Sequence, residues 1–148
     1  MTKEEVKQEN KNTEGDPQLK GQIRARQLAM ARNRQMADVP TADVVLVNPK
    51  HVAVALRYDP EKGAPKVIAK GSGTIATRIR ELAAENRIPM VQDIALARAL
   101  EKSVEVGMEI PAEFFGAVAK VLAFVMSLKS KGSAAGLHRN PNRSPSAV

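Results

Sequence analysis

The stretch DVVLVNPKHVAVALRY, residues 43–58, contains the pattern that decides the fold. Residues 43–47 form a short run rich in β-branched side chains, and residues 51–58 form a second strand-like run that begins just after Asn48-Pro49. Two such runs on either side of a turn predict neighbouring β-strands. A loop follows them in the sequence, and a third strand is predicted at residues 65–69.

Helical spacing replaces the strand pattern beyond this third strand. Apolar side chains recur on one face of a predicted helix at residues 74–86, for which Thr74 is a candidate N-cap. A short buried strand is predicted at residues 88–91. Asp93 is predicted to cap a further helix, which Gly107 ends.

A last helix is predicted from Pro111, which suits a first helical position, to residue 128. Its predicted inner face consists of Phe115, Val118, Leu122 and Val125. The element order is therefore β-β-β-α-β-α-α. This order predicts an α/β domain with a small mixed four-stranded sheet surrounded by helices.

Two polar segments flank this domain, which is predicted to span residues 39–128. Residues 1–38 comprise a charged N-terminal segment and a linker helix at residues 18–38. The basic side chains of that helix either form a solvated face or lie near an anionic membrane surface. Residues 129–148 are rich in Ser, Gly, Pro and Asn and contain no acidic residue, so they are predicted to be a disordered basic tail.

The composition narrows the possible functions. The chain of 148 residues has no cysteine and two histidines, which excludes disulfides, cysteine nucleophiles and thiolate or histidine-rich metal sites. We therefore expect no metal and no cofactor. The net charge is +7, but residues 39–128 carry eleven basic against ten acidic residues, whereas a nucleic-acid-binding domain is expected to carry a basic stripe. No stretch approaches the roughly 20 apolar residues of a membrane span, so the chain is expected to be soluble.

Two further motifs have ordinary explanations. The Gly71-Ser-Gly-Thr74 turn lies between a strand and a helix, as a phosphate cradle would, but it lacks the remaining parts of either nucleotide-binding fingerprint. It is interpreted as a strand-to-helix turn. Ser72 and His51 can be drawn as a catalytic dyad, but no orienting acid or nucleophile-elbow motif accompanies them.

The Asn48-Pro49 pair has unusual chemistry, although by itself it is also an ordinary turn signal. The common attack of the next backbone nitrogen on the asparagine side chain is closed, because proline has no N–H. The reverse attack remains open. In it, the Asn48 side-chain nitrogen adds to its own carbonyl carbon, expels the Pro49 nitrogen and leaves a C-terminal succinimide on a broken chain. Such a cut occurs once in each molecule and is not enzymatic turnover.

This reaction makes demands on the turn, because an amide nitrogen is a poor nucleophile. A tight turn between two strands would hold the reacting atoms in a near-attack arrangement. Hydrogen-bond donors near the Asn48 carbonyl would stabilise the developing oxyanion. His51 is the nearby side chain of the type that moves protons near neutral pH. Alternatively, His51 is a turn residue that only hydrogen-bonds the backbone.

Several ordered motifs, and not Asn48-Pro49 alone, resemble one known family. The resemblance covers residues 3–128 and is to the cytoplasmic domain of the type III export switch proteins, the family of FlhB, YscU and SpaS. The motifs that carry it are Glu14-Gly-Asp-Pro17, Ile23-Arg24, Asp43-Val-Val, Asn48-Pro49, His51-Val-Ala-Val-Ala-Leu56, Tyr58, Ala64-Pro-Lys-Val-Ile-Ala-Lys-Gly71, Ile88-Pro89 and the Pro111 helix.

The resemblance implies a protein that cuts itself between Asn48 and Pro49 at the cytoplasmic face of the bacterial inner membrane, with the two pieces staying associated. It implies as partners the export apparatus proteins, the export substrates, the length-control protein and the chain's own cleaved fragment. The cut would switch export from rod-and-hook subunits to filament subunits. In the family a membrane domain precedes this segment. The sequence is therefore either a piece of a longer protein, with residues 18–38 as the linker leaving the membrane, or a stand-alone paralogue.

One residue departs from the family signature Asn-Pro-Thr-His, because Lys50 replaces the threonine. The third position contributes no atom to the cyclisation, so cleavage is predicted to survive with an altered rate. A cation close to His51 would disfavour the imidazolium. Two alternatives remain: a binding module that never cleaves, and a small nucleic-acid-binding α/β protein that uses its basic flanks.

Overall fold

The computed structural model describes residues 16–49 and 51–141 of the chain. Helix α1, Pro17–Asp38, follows Asp16, whose carboxylate accepts hydrogen bonds from the N–H groups of Gln18 at 3.0 Å and Leu19 at 3.3 Å. The described residues up to Arg34 belong to one compact unit, and those from Gln35 onward belong to a second. The predicted linker helix is thus confirmed as a helix.

The second unit holds the predicted α/β domain. Its elements in chain order are a 3-10 turn Val39–Thr41, β1 Val44–Asn48, β2 Val52–Arg57, β3 Lys66–Ser72, α2 Thr74–Glu85, β4 Pro89–Gln92, α3 Ile94–Ser103, a 3-10 turn Ala112–Phe114, α4 Phe115–Ser130 and β5 Gly136–Arg139. Among the residues that the structure describes, no helix is both long enough and apolar enough to cross a membrane.

The strands form one mixed sheet in the order β3-β2-β1-β4-β5, with β1 at its centre. β1 pairs with β2 and β2 with β3 in the antiparallel sense, as expected for strands joined by short loops. β1 and β4 are parallel, as are β4 and β5. The carboxyl ends of β1, β4 and β5 therefore meet at one edge of the sheet.

The central strands β1 and β2 are continuously apolar and are buried on both faces of the sheet. On one face Leu46, Leu56 and Val91 pack with α3 and α4. On the other face the small side chains of Ala53 and Ala55 pack against α2. Small residues allow this close approach between helix and sheet, which explains how a core with few aromatic residues can still be dense.

The structure confirms the fold class but differs from the prediction in strand count. The sheet has five strands, because residues 136–139 form β5 within the segment that was predicted to be a disordered tail. This segment has little hydrophobic pattern. It forms a strand because the backbone of β4 offers an unpaired edge, and backbone hydrogen bonds do not depend on side-chain composition.

Three local predictions were wrong by small shifts. α2 begins at Thr74, so the cap position belongs to Gly73, whose φ of 59° favours glycine. α3 ends at Ser103, before Gly107. The 3-10 turn at Ala112–Phe114 delays the start of α4 to Phe115, which is 48% exposed and not part of the inner face. The rest of the predicted inner face is confirmed, because Val118 and Val125 are buried and Leu122 packs partly buried against the core.

Candidate functional site

The Asn48-Pro49 pair lies in a tight loop between the two strands that the sequence predicted. Asn48 pairs with Val52 in the last rung of the β1–β2 hairpin, so the loop consists of Pro49, Lys50 and His51. Asn48 and Pro49 are half-buried, and His51 is exposed. Lys50 lies outside the described residues. The structure thus places Asn48, Pro49 and His51 in a turn between two strands, as the sequence predicted, whereas their chemical roles stay predictions.

A backbone donor points at the carbonyl group of Asn48. The N–H of His51 donates a hydrogen bond to the Asn48 carbonyl oxygen at 2.9 Å, which closes a turn with Pro49 at its second position. This oxygen is the atom on which negative charge would develop if the adjacent carbon were attacked. A fixed donor at that atom has the geometry of an oxyanion-stabilising group.

The loop is also anchored to the turn between β3 and α2. The N–H of Gly73 donates to the carbonyl oxygen of His51 at 3.1 Å, and Val52 pairs with Ser72 in the neighbouring rung. His51 is therefore held by both of its backbone polar groups. These bonds agree with the prediction of a turn residue, whereas the proton-transfer role of its side chain stays a prediction.

The Gly71-Ser-Gly-Thr74 turn serves packing and loop anchorage. A Cβ atom at Gly71 would lie 2.7 Å from the Cβ of Ile75, so the strand can approach the first turn of α2 only with glycine at this position. Gly73 supplies the positive φ and the donor to His51. The turn thus has structural reasons for both glycines.

A second residue, Asp93, contacts the strand end that leads into the loop. Its N–H donates to the carbonyl oxygen of Val47 at 3.1 Å. Its Oδ1 accepts the N–H of Leu96 at 3.2 Å, which confirms the predicted cap of α3. Its Oδ2 accepts a hydrogen bond from Nδ2 of Asn140 at 2.9 Å. Asp93 is 4% exposed and Asn140 is 9% exposed.

Asn140 was missed by the sequence analysis. It lies in the segment predicted to be disordered, 47 positions away from Asp93. The one local signal is that asparagine can close the end of a strand, which is too common to identify a contact. In the part of the chain that the structure describes, no three His, Cys, Asp or Glu side chains are grouped as they would be around a metal ion.

An apolar groove lies apart from the loop, between the residues after β2 and the outer face of α4. It has a volume of about 550 Å³. Its walls include the exposed side chains of Tyr58, Phe115 and Met126, together with Pro65 and Leu122. The sequence analysis placed Phe115 in the core and therefore did not predict this groove.

The first 125 residues match the model of the FlhB HrpN YscU SpaS family. The flagellar biosynthetic protein FlhB of Yersinia enterocolitica is 58% identical over 130 residues, which cover 87% of this chain and 34% of that protein. FlhB of Bacillus subtilis is 46% identical over 132 residues, which cover 88% of this chain and 37% of that protein. The chain thus spans about a third of the length of these relatives.

The chain is also similar to solved structures of proteins with related names. The cytoplasmic domain of FlhB from Shewanella putrefaciens is 40% identical with a TM-score of 0.68, over 80% of this chain and 98% of that one. A mutated EscU C-terminal domain is 32% identical with a TM-score of 0.59, over 61% of this chain and 91% of that one. Some of the similar EscU structures carry a replacement of one asparagine or of the proline next to it.

Proposed function

Since the chain belongs to the FlhB HrpN YscU SpaS family, we propose that it is a switch domain of the export apparatus that cuts itself once between Asn48 and Pro49. The observation that carries this proposal is the 2.9 Å hydrogen bond from the His51 N–H to the Asn48 carbonyl oxygen. The cut changes which substrates are exported, and it is a single intramolecular event without turnover.

The reaction begins when Nδ2 of Asn48 forms a bond to the carbonyl carbon of the same residue and loses a proton. The electron pair of the carbonyl moves onto its oxygen, where the His51 N–H stabilises the charge. Collapse of this intermediate breaks the bond to the Pro49 nitrogen, which takes up a proton and leaves as a secondary amine. The products are a succinimide at position 48 and a new N-terminus at Pro49. The His51 side chain is proposed to carry the proton between the two nitrogens.

The position of β1 supports the proposal that the two pieces stay together. The piece that ends at Asn48 contributes β1, and the piece that begins at Pro49 contributes both strands that flank it. β1 is buried on both faces between them. The cut therefore frees only the loop and adds two new chain ends there. Such a local change can alter the surface that partners bind without dissolving the fold.

The wider setting is proposed from the family. We place the protein at the cytoplasmic face of the bacterial inner membrane, the location that the family resemblance implies, with attachment through a membrane domain of the kind that precedes this segment in the family. Its partners there are the other export apparatus proteins, the export substrates and the length-control protein. Lys50 adds charge beside the cut without contributing an atom to the cyclisation, so we expect it to tune the rate.

The test is denaturing electrophoresis with mass spectrometry of the purified chain. We expect two pieces, residues 1–48 and residues 49–148, and a single intact band for Asn48→Ala. Asn33→Ala, which removes an exposed asparagine of α1, is the matched control and should cut normally. A parental chain that stays intact at neutral pH, or an Asn48→Ala chain that still cuts at this bond, would refute the proposal.

A second candidate function is the binding of an export substrate in the apolar groove. Phe115 and Met126, on the outer face of α4, are 48% and 69% exposed beside it, and exposed apolar patches of this kind are typical of interaction sites. Met126→Glu should weaken the binding of a purified flagellar export subunit in a titration and should leave self-cleavage unchanged. Unaltered binding would exclude the groove as the docking site.

A further inference from the structure

Asn48 is held by hydrogen bonds on both of its sides in the chain. On the carboxyl side, the His51 N–H fixes its carbonyl group at 2.9 Å. On the amino side, the N–H of Asp93 fixes the carbonyl oxygen of Val47 at 3.1 Å, and this carbonyl belongs to the peptide unit that leads into Asn48. Holding that peptide unit in place restrains the backbone nitrogen and Cα of Asn48, from which the side chain must reach its own carbonyl carbon.

Asp93 is itself held by contacts to its carboxylate. Oδ1 accepts the Leu96 N–H at the start of α3, and Oδ2 accepts Nδ2 of Asn140 at 2.9 Å. Both Asp93 and Asn140 are at least nine-tenths buried. Hydrogen bonds to an ionised acceptor in such an environment are stronger than exposed neutral ones, so they restrain the position of Asp93 closely.

Asn140 connects this carboxylate to the last strand. It follows β5 directly, and its own N–H donates to the carbonyl oxygen of Gln92 at 3.2 Å. β5 pairs with β4 along its whole length but exposes most of its side chains, including Leu137 at 55%. A continuous series of bonds thus leads from β5 through Asn140 and Asp93 to the peptide before Asn48.

We infer that Asp93 and Asn140 are positioning residues through which the docked strand β5 sets the rate of the cut at Asn48. This inference rests on the proposed self-cleavage and adds its regulation. Cyclisation by a weak amide nucleophile depends on near-attack geometry, and a displacement of about 1 Å can slow such a step by about a hundredfold. When β5 leaves β4, Asp93 loses one of its restraints and the cut slows.

The test follows cleavage of the full chain in a pulse-labelled cell-free synthesis. Asn140→Asp places a carboxylate against the Asp93 carboxylate, and Asp93→Asn places one amide against another, so each single variant should cut about tenfold more slowly. The double variant Asp93→Asn with Asn140→Asp exchanges donor and acceptor while Oδ1 can still bind the Leu96 N–H. It should recover most of the parental rate. Leu137→Ala, in the same strand, is the control that should cut at the parental rate.

Hydrogen exchange on the uncut Asn48→Ala background separates positioning from general destabilisation. The Asp93 amide should lose protection in each single variant and regain it in the double variant, while the thermal midpoint changes little. Parental cutting rates in the single variants, or slow cutting in the double variant, would overturn the inference and leave the proposed function intact. A parental chain that never cuts would refute the proposed function. In that case, unchanged protection of the Asp93 amide in the single variants would show independently that Asn140 does not position Asp93.

Discussion

β1 and β5 lie on opposite sides of β4 and run in the same direction, but different forces hold them. Residues 44–47 of β1 are between 0% and 1% exposed, because both faces of that strand are covered by helices. β5 exposes Gly136, Leu137 and Arg139. Its side-chain contacts include the edge-on packing of His138 against Phe124, with ring centroids 6.0 Å apart.

The difference predicts which strand would stay in the sheet if its peptide link to the next strand were broken. The burial of apolar area keeps β1 in the sheet, and that contribution does not depend on an intact peptide bond at Asn48. β5 is held mainly by backbone hydrogen bonds, each of which contributes little net free energy, and by the buried contact of Asn140 with Asp93. The sheet therefore combines a central strand that we expect to tolerate the proposed cut with an edge strand that we expect to detach more easily.

The largest expected difference between the two strands appears when β1 is separated from β2 by the cut and when β5 is deleted. After the cut, the piece that contains β1 should stay bound in native buffer and separate only in denaturant that unfolds the sheet. In contrast, a chain that ends at Ala135, without β5, should keep its circular dichroism spectrum. Size-exclusion chromatography followed by denaturing electrophoresis measures the first outcome. Spontaneous separation of the pieces in native buffer would show that burial does not hold β1.

A single side chain in each strand sharpens the same comparison. Leu46→Ala in β1 leaves a cavity in the core and should lower the free energy of unfolding by about 2–5 kcal/mol. Leu137→Ala in β5 removes an exposed side chain and should change it by less than about 0.5 kcal/mol. Both are measured by urea denaturation in the uncut Asn48→Ala chain. Similar losses for the two variants would contradict the assigned difference.

An effect smaller than that of Leu46→Ala is expected in β3, the other edge strand. β3 is held by side-chain packing, and a Cβ at Gly71 would overlap the side chain of Ile75. Gly71→Ala should therefore cost about 1–3 kcal/mol of unfolding free energy, measured by the same denaturation. Gly116→Ala in α4 has no atom within 4 Å of the new Cβ and should stabilise the helix by about 0.5–1 kcal/mol. A neutral Gly71→Ala would mean that this edge resembles β5.

The sequence predicted those parts of the fold that depend on neighbours along the chain. The two strands around Asn48-Pro49 follow from runs of apolar residues, and the Asp93 cap follows from one side chain and the next helical turn. The inner face of α4 was predicted correctly at Val118 and Val125 and wrongly at Phe115, which directly follows a 3-10 turn and is exposed.

The residues of the candidate site also divide into those predicted from the sequence and those found only in the structure. Asn48, Pro49 and His51 were identified from their chemistry and order, since the proposed cut involves atoms of adjacent residues. The donors from Gly73 and Asp93 were not predicted, because they lie in the turns after β3 and β4, far along the chain from the carbonyl groups of His51 and Val47 that they bind. Asn140 was missed because its segment has a composition typical of disorder. The segment forms a strand only through backbone pairing with β4.

What the sequence alone determined is local: the hairpin, the Asn48-Pro49 pair within it at which the cut is proposed, and the missing N–H of Pro49 that closes the alternative reaction. The tertiary structure decided how many strands join the sheet and which groups restrain Asn48. The physical reason is the separation along the chain of the residues that determine each feature. Strand periodicity and covalent chemistry depend on residues next to one another, whereas the contact between Asp93 and Asn140 joins positions 47 residues apart and forms only once the sheet has assembled.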